Sequence, residues 1–139
     1  MKKGDTMIDN LEIKKLAPTD ERILEVINFL SEESFNLFIQ NNLKEFDNLE
    51  QDKKDKFKEL ALRQGIDYYL SCDGEIYVAY LNDAIIGAAL RNNDSLDSLF
   101  VKKEYRNQKI GSTLLEKILD DCKEYQVIRL NANIRAISL

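Results

Sequence analysis

The chain has 139 residues, of which 44% are apolar and 32% charged, with a formal net charge of −5. This length predicts a single domain over residues 1–139, and the acidic balance disfavours a protein whose whole surface binds nucleic acid. Histidine is absent and only two cysteines occur, which excludes Ser–His–Asp or Cys–His catalysis and any His-containing or Cys₄ zinc site built from this chain alone.

The N-terminal residues favour a cytoplasmic location. MKKGDTMIDN lacks the apolar segment of a signal peptide, and no apolar run approaches the roughly 20 residues of a membrane span. Without a signal peptide, Cys72 and Cys122 are expected to be free thiols in a reducing compartment. We therefore expect neither a membrane nor a nucleic acid as a partner.

The first third of the chain predicts one strand and then helices. Residues 11–16 have the apolar content of a short strand, which Pro18 ends. Thr19 or Asp20 is expected to cap a helix with apolar residues through Leu30. A second helical segment is expected after Ser31, ending near Asn41 and Asn42.

The middle of the chain is strongly polar. Residues 43–56 are interpreted as a solvated helix face or loop, and the alternative is a mobile lid over a substrate site. Phe57, Leu60 and Ala61 fit a helix that ends at Gly65, a C-terminal cap position that favours glycine. Residues 66–70 remain ambiguous between helix and strand.

Three β-rich segments follow, at residues 76–81, 84–90 and 95–101. Asn82-Asp83 and Asn92-Asn93-Asp94 separate them as short turns. Strands joined by such turns predict an antiparallel meander.

An amphipathic helix is predicted from Gly111 to about residue 123. Its apolar face is formed by Leu114, Leu115, Ile118, Leu119 and Cys122. Cys122 is interpreted as a small buried residue of this face rather than a nucleophile. A strand over residues 126–132 would then lie parallel to residues 95–101 across the helix.

The segment from Leu96 to Glu116 reads LDSLFVKKEYRNQKIGSTLLE. It contains a strand that ends in Leu-Phe-Val, a basic loop with Tyr105-Arg106, then Arg-Asn-Gln-Lys-Ile-Gly and a helix that begins with Leu114-Leu115. This order resembles motif A of the GNAT superfamily of N-acetyltransferases. The resemblance extends over most of the chain, and best from about Ile76 onward.

The resemblance implies a GNAT-like α/β fold: an antiparallel meander, then a β-α-β unit whose two parallel strands splay apart around the pantetheine arm of acetyl-CoA. It also implies acetyl transfer to a small-molecule or peptide amine, with no metal. The implied cofactor contacts are Leu99, Phe100, Val101, Arg106, Asn107, Gln108, Lys109, Ile110, Gly111, Ser112 and Asn133. Taken singly, Arg106 could be a solvated loop cation, Gly111 an ordinary glycine near a helix start, and Asn133 a helix cap.

Lys109 departs from the motif, because the family usually has its first glycine there. A lysine retains the amide donor and adds a charge, but it is expected to hold an ordinary backbone conformation.

The C-terminal residues also resemble the family, through Asn133, Ala136, Ile137 and Leu139. In the family a tyrosine that serves as a general acid follows, and then a closing pair of strands. We therefore expect a domain that is truncated after its fifth strand. Three explanations remain open: the chain is shortened, a partner chain supplies the missing elements, or the protein has lost catalysis. Strand 126–132 would then be a sheet edge, and we expect it to form a homodimer, which light scattering would test.

Asp97 is the candidate general base, two residues before Leu99, where several family members carry a glutamate. Aspartate is one methylene shorter, so a relaying water is expected. The alternative is an exposed residue of an alternating strand. Backbone N–H groups of Leu99 or Val101 would donate to the oxyanion.

Two other functions remain open. One is a catalytically weak or inactive acyl-CoA-binding or regulatory module, or a fragment that only self-associates. The other is a phosphate- or nucleotide-binding protein that uses the same helix N-terminus, although GxGxxG and P-loop motifs are absent. Acetyl transfer to an acceptor distinguishes the enzyme from both.

Overall fold

The computed structural model describes residues 10–122 and 129–130. The chain falls into two compact units, one of Met1–Ile23 with Asp73–Leu139 and one of Leu24–Cys72, and the prediction of one domain stays a prediction. The elements in chain order are β1 (Leu11–Leu16), α1 (Ile23–Asn41), α2 (Leu43–Asp47), α3 (Gln51–Ser71), β2 (Glu75–Leu81), β3 (Ala84–Asn92), β4 (Ser95–Val101), a 3₁₀ turn (Lys103–Tyr105), α4 (Ile110–Asp121) and β5 (Arg129–Leu130).

The first unit contains a mixed sheet with the strand order β1-β2-β3-β4-β5. The first four strands pair antiparallel, and β5 pairs parallel to β4 through Ser95↔Arg129 and Leu96↔Leu130. Asn82 and Asp83 both have positive φ, 51° and 69°, as a tight two-residue hairpin turn requires. The predicted meander and parallel β-α-β unit are confirmed. The rest of strand 126–132, and with it the expected homodimer contact, lies outside the described residues.

Helix α4 packs on one face of this sheet. Its buried residues Ile110, Leu114, Ile118 and Cys122 join a core with Tyr77, Ala79, Ile86, Ala89, Leu96 and Leu99. Leu119 was expected on the same face, but it is 45% exposed. Cys122 is buried, as predicted.

A buried polar network crosses the sheet beside this core. Arg91 Nε donates to the Tyr77 hydroxyl (3.2 Å), and the hydroxyl donates to Asp121 Oδ2 (2.9 Å). Tyr77 is fully buried and Arg91 is 7% exposed. The network joins β2, β3 and the last turn of α4, and it satisfies polar groups that would be costly to bury alone.

Stability should depend on pH through Tyr77, because burial raises the pKa of its hydroxyl to about 12 from 10.0. As the pH rises, the unfolded chain loses this proton before the folded chain does. The contribution of the Tyr77 hydroxyl to stability is therefore complete below pH ~10 and is lost toward pH ~12. We expect the loss to be at most about 3 kcal/mol. Urea unfolding at pH 9 to 11.5 tests this. The free energy of unfolding should fall less steeply with pH for Tyr77→Phe than for the unsubstituted chain, and equal slopes would contradict this assignment.

The second unit is helical, and two of its helices differ from the sequence prediction. Helix α1 continues through Ser31 to Asn41 without a break, because the buried Ser31 donates across to the carbonyl of Leu62 (3.0 Å) instead of capping a new helix. Helix α3 continues through Gly65 to Ser71, so Gly65 does not end a helix and residues 66–70 are helical. A Cβ at Gly65 would collide with Ser31 Oγ, so glycine allows α1 and α3 to approach closely.

Residues 43–56 form α2 and the start of α3, and most of their side chains are exposed, as the interpretation of a solvated face predicted. Four phenylalanine rings of this helical unit pack together. The ring centroids of Phe35, Phe38 and Phe46 lie 6.1, 5.7 and 6.1 Å from that of Phe57. No helix within residues 10–122 and 129–130 is long and apolar enough to cross a membrane.

Candidate functional site

The end of β4 passes through a short basic loop into α4. After Val101, the N–H of Lys102 donates to the Ile86 carbonyl (2.8 Å), which extends the pairing with β3 by one residue. The 3₁₀ turn then reverses the chain, with Tyr105 N–H donating to the Lys102 carbonyl (2.9 Å). The start of α4 is thereby fixed beside the end of β4.

Two side chains of the loop donate to nearby backbone carbonyls, one at the end of β4 and one in the 3₁₀ turn. Arg106 Nε donates to the Val101 carbonyl at 2.9 Å, so the guanidinium lies at the end of β4. Gln108 Nε2 donates to the Glu104 carbonyl at 3.3 Å. These bonds hold the loop against the strand and the turn before α4 begins.

The first amides of α4 precede its internal hydrogen bonds. The first i→i−4 bond runs from Thr113 N–H to the Lys109 carbonyl (3.0 Å), which also accepts from Thr113 Oγ1 (2.7 Å). The amides of Ile110, Gly111 and Ser112 therefore lie at the positive end of the helix dipole. No side chain of the described residues caps this helix.

The charge around these amides is positive. Lys103, Arg106 and Lys109 are exposed and Lys102 is half-buried, and Glu104 is the acid among them. Amides at a helix start together with excess cations are the kind of groups that bind a phosphate or diphosphate in proteins. The predicted phosphate contacts from Arg106 to Ser112 thus lie in one strand–loop–helix segment.

Lys109 does not have the ordinary backbone conformation expected for a lysine. Its φ and ψ are 66° and 16°, in the left-handed region, and Asn107 two residues earlier has φ 64°. The expectation was wrong because the chain must turn sharply between the loop and α4, and this geometry is what a glycine would supply at little cost.

Replacing Lys109 with glycine should therefore stabilise the fold relative to alanine. Lys109→Gly and Lys109→Ala remove the same charge, and only alanine retains the left-handed penalty. We expect glycine to be the more stable variant by about 1 kcal/mol, after allowance for its extra freedom in the unfolded chain. Urea unfolding of the pair measures the difference, and an alanine variant of equal or greater stability would contradict the left-handed turn.

Asp97 lies at a bulge in β4. Leu90 pairs with Ser98 and Arg91 with Leu96, so Asp97 has no residue opposite it on β3. Its carboxylate accepts from Asn92 Nδ2 and from Ser95 Oγ (2.7 Å). The side chain is half-buried, and it is not the freely exposed residue of a regularly alternating strand.

The other predicted residues differ in burial. Leu99 is 9% exposed, Phe100, Val101 and Ser112 are half-buried, and Asn107 and Gln108 are exposed. Asn133 lies outside the described residues. The sequence analysis did not identify Asn92 and Ser95 as partners of Asp97, because these bonds depend on the register shift between β3 and β4.

The helical unit contains a groove of about 490 Å³ between α1, α2 and α3, lined by Phe35, Asn36, Ile39, Gln40, Leu43, Phe46, Gln51, Lys54, Asp55 and Lys58. Within the described residues, no group of three or more Asp, Glu and Cys side chains is placed to hold a metal ion.

The mixed sheet, with α4 packed on one face, is an α/β architecture that known families can be compared with. Residues 21–138 match the family model described as "Acetyltransferase (GNAT) domain". The chain therefore belongs to the GNAT acetyltransferases, as the resemblance implied. No curated protein sequence matches the chain.

Solved structures share this fold. An acetyltransferase from Vibrio fischeri has a TM-score of 0.56 at 20% identity, with 88% of this chain and 95% of that chain covered. An integron cassette protein from V. cholerae has a TM-score of 0.54 at 18% identity, with 93% and 76% covered. A possible acetyltransferase from Clostridium difficile has a TM-score of 0.53 at 18% identity, with 92% and 80% covered.

Proposed function

We propose that this chain is an acetyl-CoA-dependent N-acetyltransferase that moves an acetyl group to an amine by direct attack. The observation that carries the proposal is the left-handed turn at Lys109, which places the amides of Ile110, Gly111 and Ser112 ahead of the first helical hydrogen bond. A family member with this arrangement can bind the diphosphate of acetyl-CoA through backbone donors.

The cofactor would extend from this turn along β4. The Arg106 guanidinium, anchored on the Val101 carbonyl, and the lysines of the loop would neutralise phosphate charge. Asn107 and Gln108 would contact the phosphates from the same loop. The backbone of Leu99, Phe100 and Val101 would pair with the pantetheine arm as an added strand, and Asn133 would bond that arm from the far side.

The chemistry requires three roles from the chain or solvent. Acetyl-CoA supplies an activated acetyl thioester. Asp97 would accept a proton from the ammonium of the acceptor, directly or through one water, so that the neutral nitrogen forms the new C–N bond. A backbone N–H of Leu99 or Val101 would donate to the acetyl oxygen as negative charge develops there. The C–S bond breaks, the nitrogen gives its second proton to water, and the departing thiolate takes a proton from water.

The charge of the chain favours a cationic acceptor. At a formal net charge of −5, the protein attracts polyamines, aminoglycosides and lysine-bearing peptides over long range. A cytoplasmic location fits the N-terminal sequence, which lacks the apolar segment of a signal peptide.

The test is acetyl-CoA consumption with spermidine, kanamycin and a lysine-containing peptide as acceptors. We expect CoA thiol to be released only when an acceptor is present, with mass spectrometry showing one acetyl group on the amine. Acetyl-CoA without acceptor is the control. Binding of acetyl-CoA with no transfer to any of the three would favour the acyl-CoA-binding module, and neither binding nor transfer would refute the proposal.

A further inference from the structure

The candidate base Asp97 lies where β4 departs from regular pairing with β3. The register shift after Leu90 leaves Asp97 without a residue opposite it. A bulged residue is free of the ladder and can point in a direction that regular alternation would not give it. Something other than the sheet must then fix the direction of its carboxylate.

The turn between β3 and β4 supplies that fixation. Asn92 Nδ2 donates to one oxygen of the Asp97 carboxylate, and Ser95 Oγ donates to the other at 2.7 Å. Two donors on both oxygens restrict rotation of the carboxylate more than one would. The donors come from the last residue of β3 and the first residue of β4, so they move with the turn.

The Asn92 side chain lies against the backbone of Gly74. A Cβ added at Gly74 would lie 2.5 Å from Asn92 Oδ1 and 2.7 Å from the Arg91 carbonyl. The amide oxygen of Asn92 therefore lies against Gly74 while its nitrogen is directed toward Asp97. Only a residue without a side chain at position 74 leaves this space for Asn92.

The same turn is anchored to the core. Arg91 Nη1 donates to the Asn93 carbonyl at 2.7 Å, and Arg91 Nε bonds the buried Tyr77 hydroxyl. The turn residue Asn93 has φ 52°, a conformation that asparagine tolerates. The donors to Asp97 are thus held by buried groups instead of by an exposed, freely moving loop.

We propose that Asn92, with Ser95, is a positioning residue for acetyl transfer: it holds the Asp97 carboxylate at the β4 bulge in the direction needed to take the proton from the acceptor amine. This inference rests on the proposed function. It assigns the positioning of the base to the β3–β4 turn, whereas the loop before α4 is proposed to bind the cofactor. Asn92 acts only through Asp97 and contacts neither substrate.

The test is a double-mutant cycle on kcat with Asn92→Ala, Asp97→Asn and the double variant, using the acceptor that gives turnover. We expect Asn92→Ala to lower kcat about 10- to 100-fold, because a displacement of about 1 Å costs that much, with KM for acetyl-CoA nearly unchanged. In the Asp97→Asn background the same substitution should change kcat by less than about twofold. Ser95→Ala provides a second, independent removal of one donor and should show the same dependence on Asp97.

The matched control is Asn82→Gly, which changes the exposed asparagine of the other hairpin turn and should leave kcat unchanged. Melting temperatures of all variants identify any that fail to fold. The positioning role would be overturned if Asn92→Ala lowered kcat by the same factor in the unsubstituted chain and in Asp97→Asn, or if neither Asn92→Ala nor Ser95→Ala lowered kcat. Either result would leave the proposed acetyltransferase function intact. Absence of acetyl transfer by the unsubstituted chain would overturn both.

Discussion

Gly111→Asp should abolish acetyl-CoA binding while the protein stays folded. The substitution places a carboxylate at the second residue of α4, beside the amides proposed to bind the diphosphate. Two like charges about 4 Å apart repel by about 4 kcal/mol near a protein surface, so we expect the dissociation constant to rise at least ~100-fold. The helix should tolerate the change, because anions are favourable in the first helical turn.

The control is Gly111→Asn, which adds nearly the same volume without the charge. Because Gly111 is buried, both variants have to accommodate a side chain, and any steric cost is shared between them. Isothermal titration calorimetry with acetyl-CoA should show much weaker binding for aspartate than for asparagine. Equal loss in both would indicate that space, not charge, limits position 111, and no loss in either would place the phosphates elsewhere.

Asp97→Asn should lower kcat by about 10²- to 10⁴-fold, the contribution typical of a positioned general base. Acetyl-CoA affinity should change little, because the turn at Lys109 that we propose binds the phosphates is a separate part of the segment. The assay is steady-state acetyl transfer at saturating acetyl-CoA.

Asp97→Glu separates the loss of a base from the loss of a bonding partner. Glutamate keeps the carboxylate that asparagine lacks, so it should retain more activity than Asp97→Asn even if its bonds to Asn92 and Ser95 are weakened. If the asparagine variant turns over as fast as the unsubstituted chain, Asp97 is not the base and the proton must pass directly to water.

The sheet could be predicted closely because its signals are local. β1 and β4 have the predicted bounds, 11–16 and 95–101, since proline and asparagine turns separate short apolar runs. The helices were predicted less well. Ser31 and Gly65 have the composition of helix ends, but in the folded chain they pack against each other across α1 and α3, and such a contact between residues far apart in sequence leaves no local pattern.

The candidate site could also be predicted only in part from the sequence. The turn proposed to bind the phosphates is one contiguous segment, so the sequence pattern alone could nominate the residues from Arg106 to Ser112 as its contacts, and that nomination stays a prediction. The bonds from Asn92 and Ser95 to Asp97 could not be predicted in this way, because they depend on a register shift between β3 and β4. The left-handed backbone of Lys109 was also missed, since the geometry of the turn, not the preference of lysine, determines it.

The most direct test of the central claim is thermal unfolding of the unsubstituted chain with and without acetyl-CoA. A ligand at 100 times its dissociation constant adds about 2.7 kcal/mol of stability, which corresponds to a rise in Tm of about 5–10 °C for a domain of this size. A rise of this size that Gly111→Asp abolishes is the predicted result. An unchanged Tm at saturating acetyl-CoA would contradict the claim that the turn at Lys109 and the start of α4 bind this cofactor.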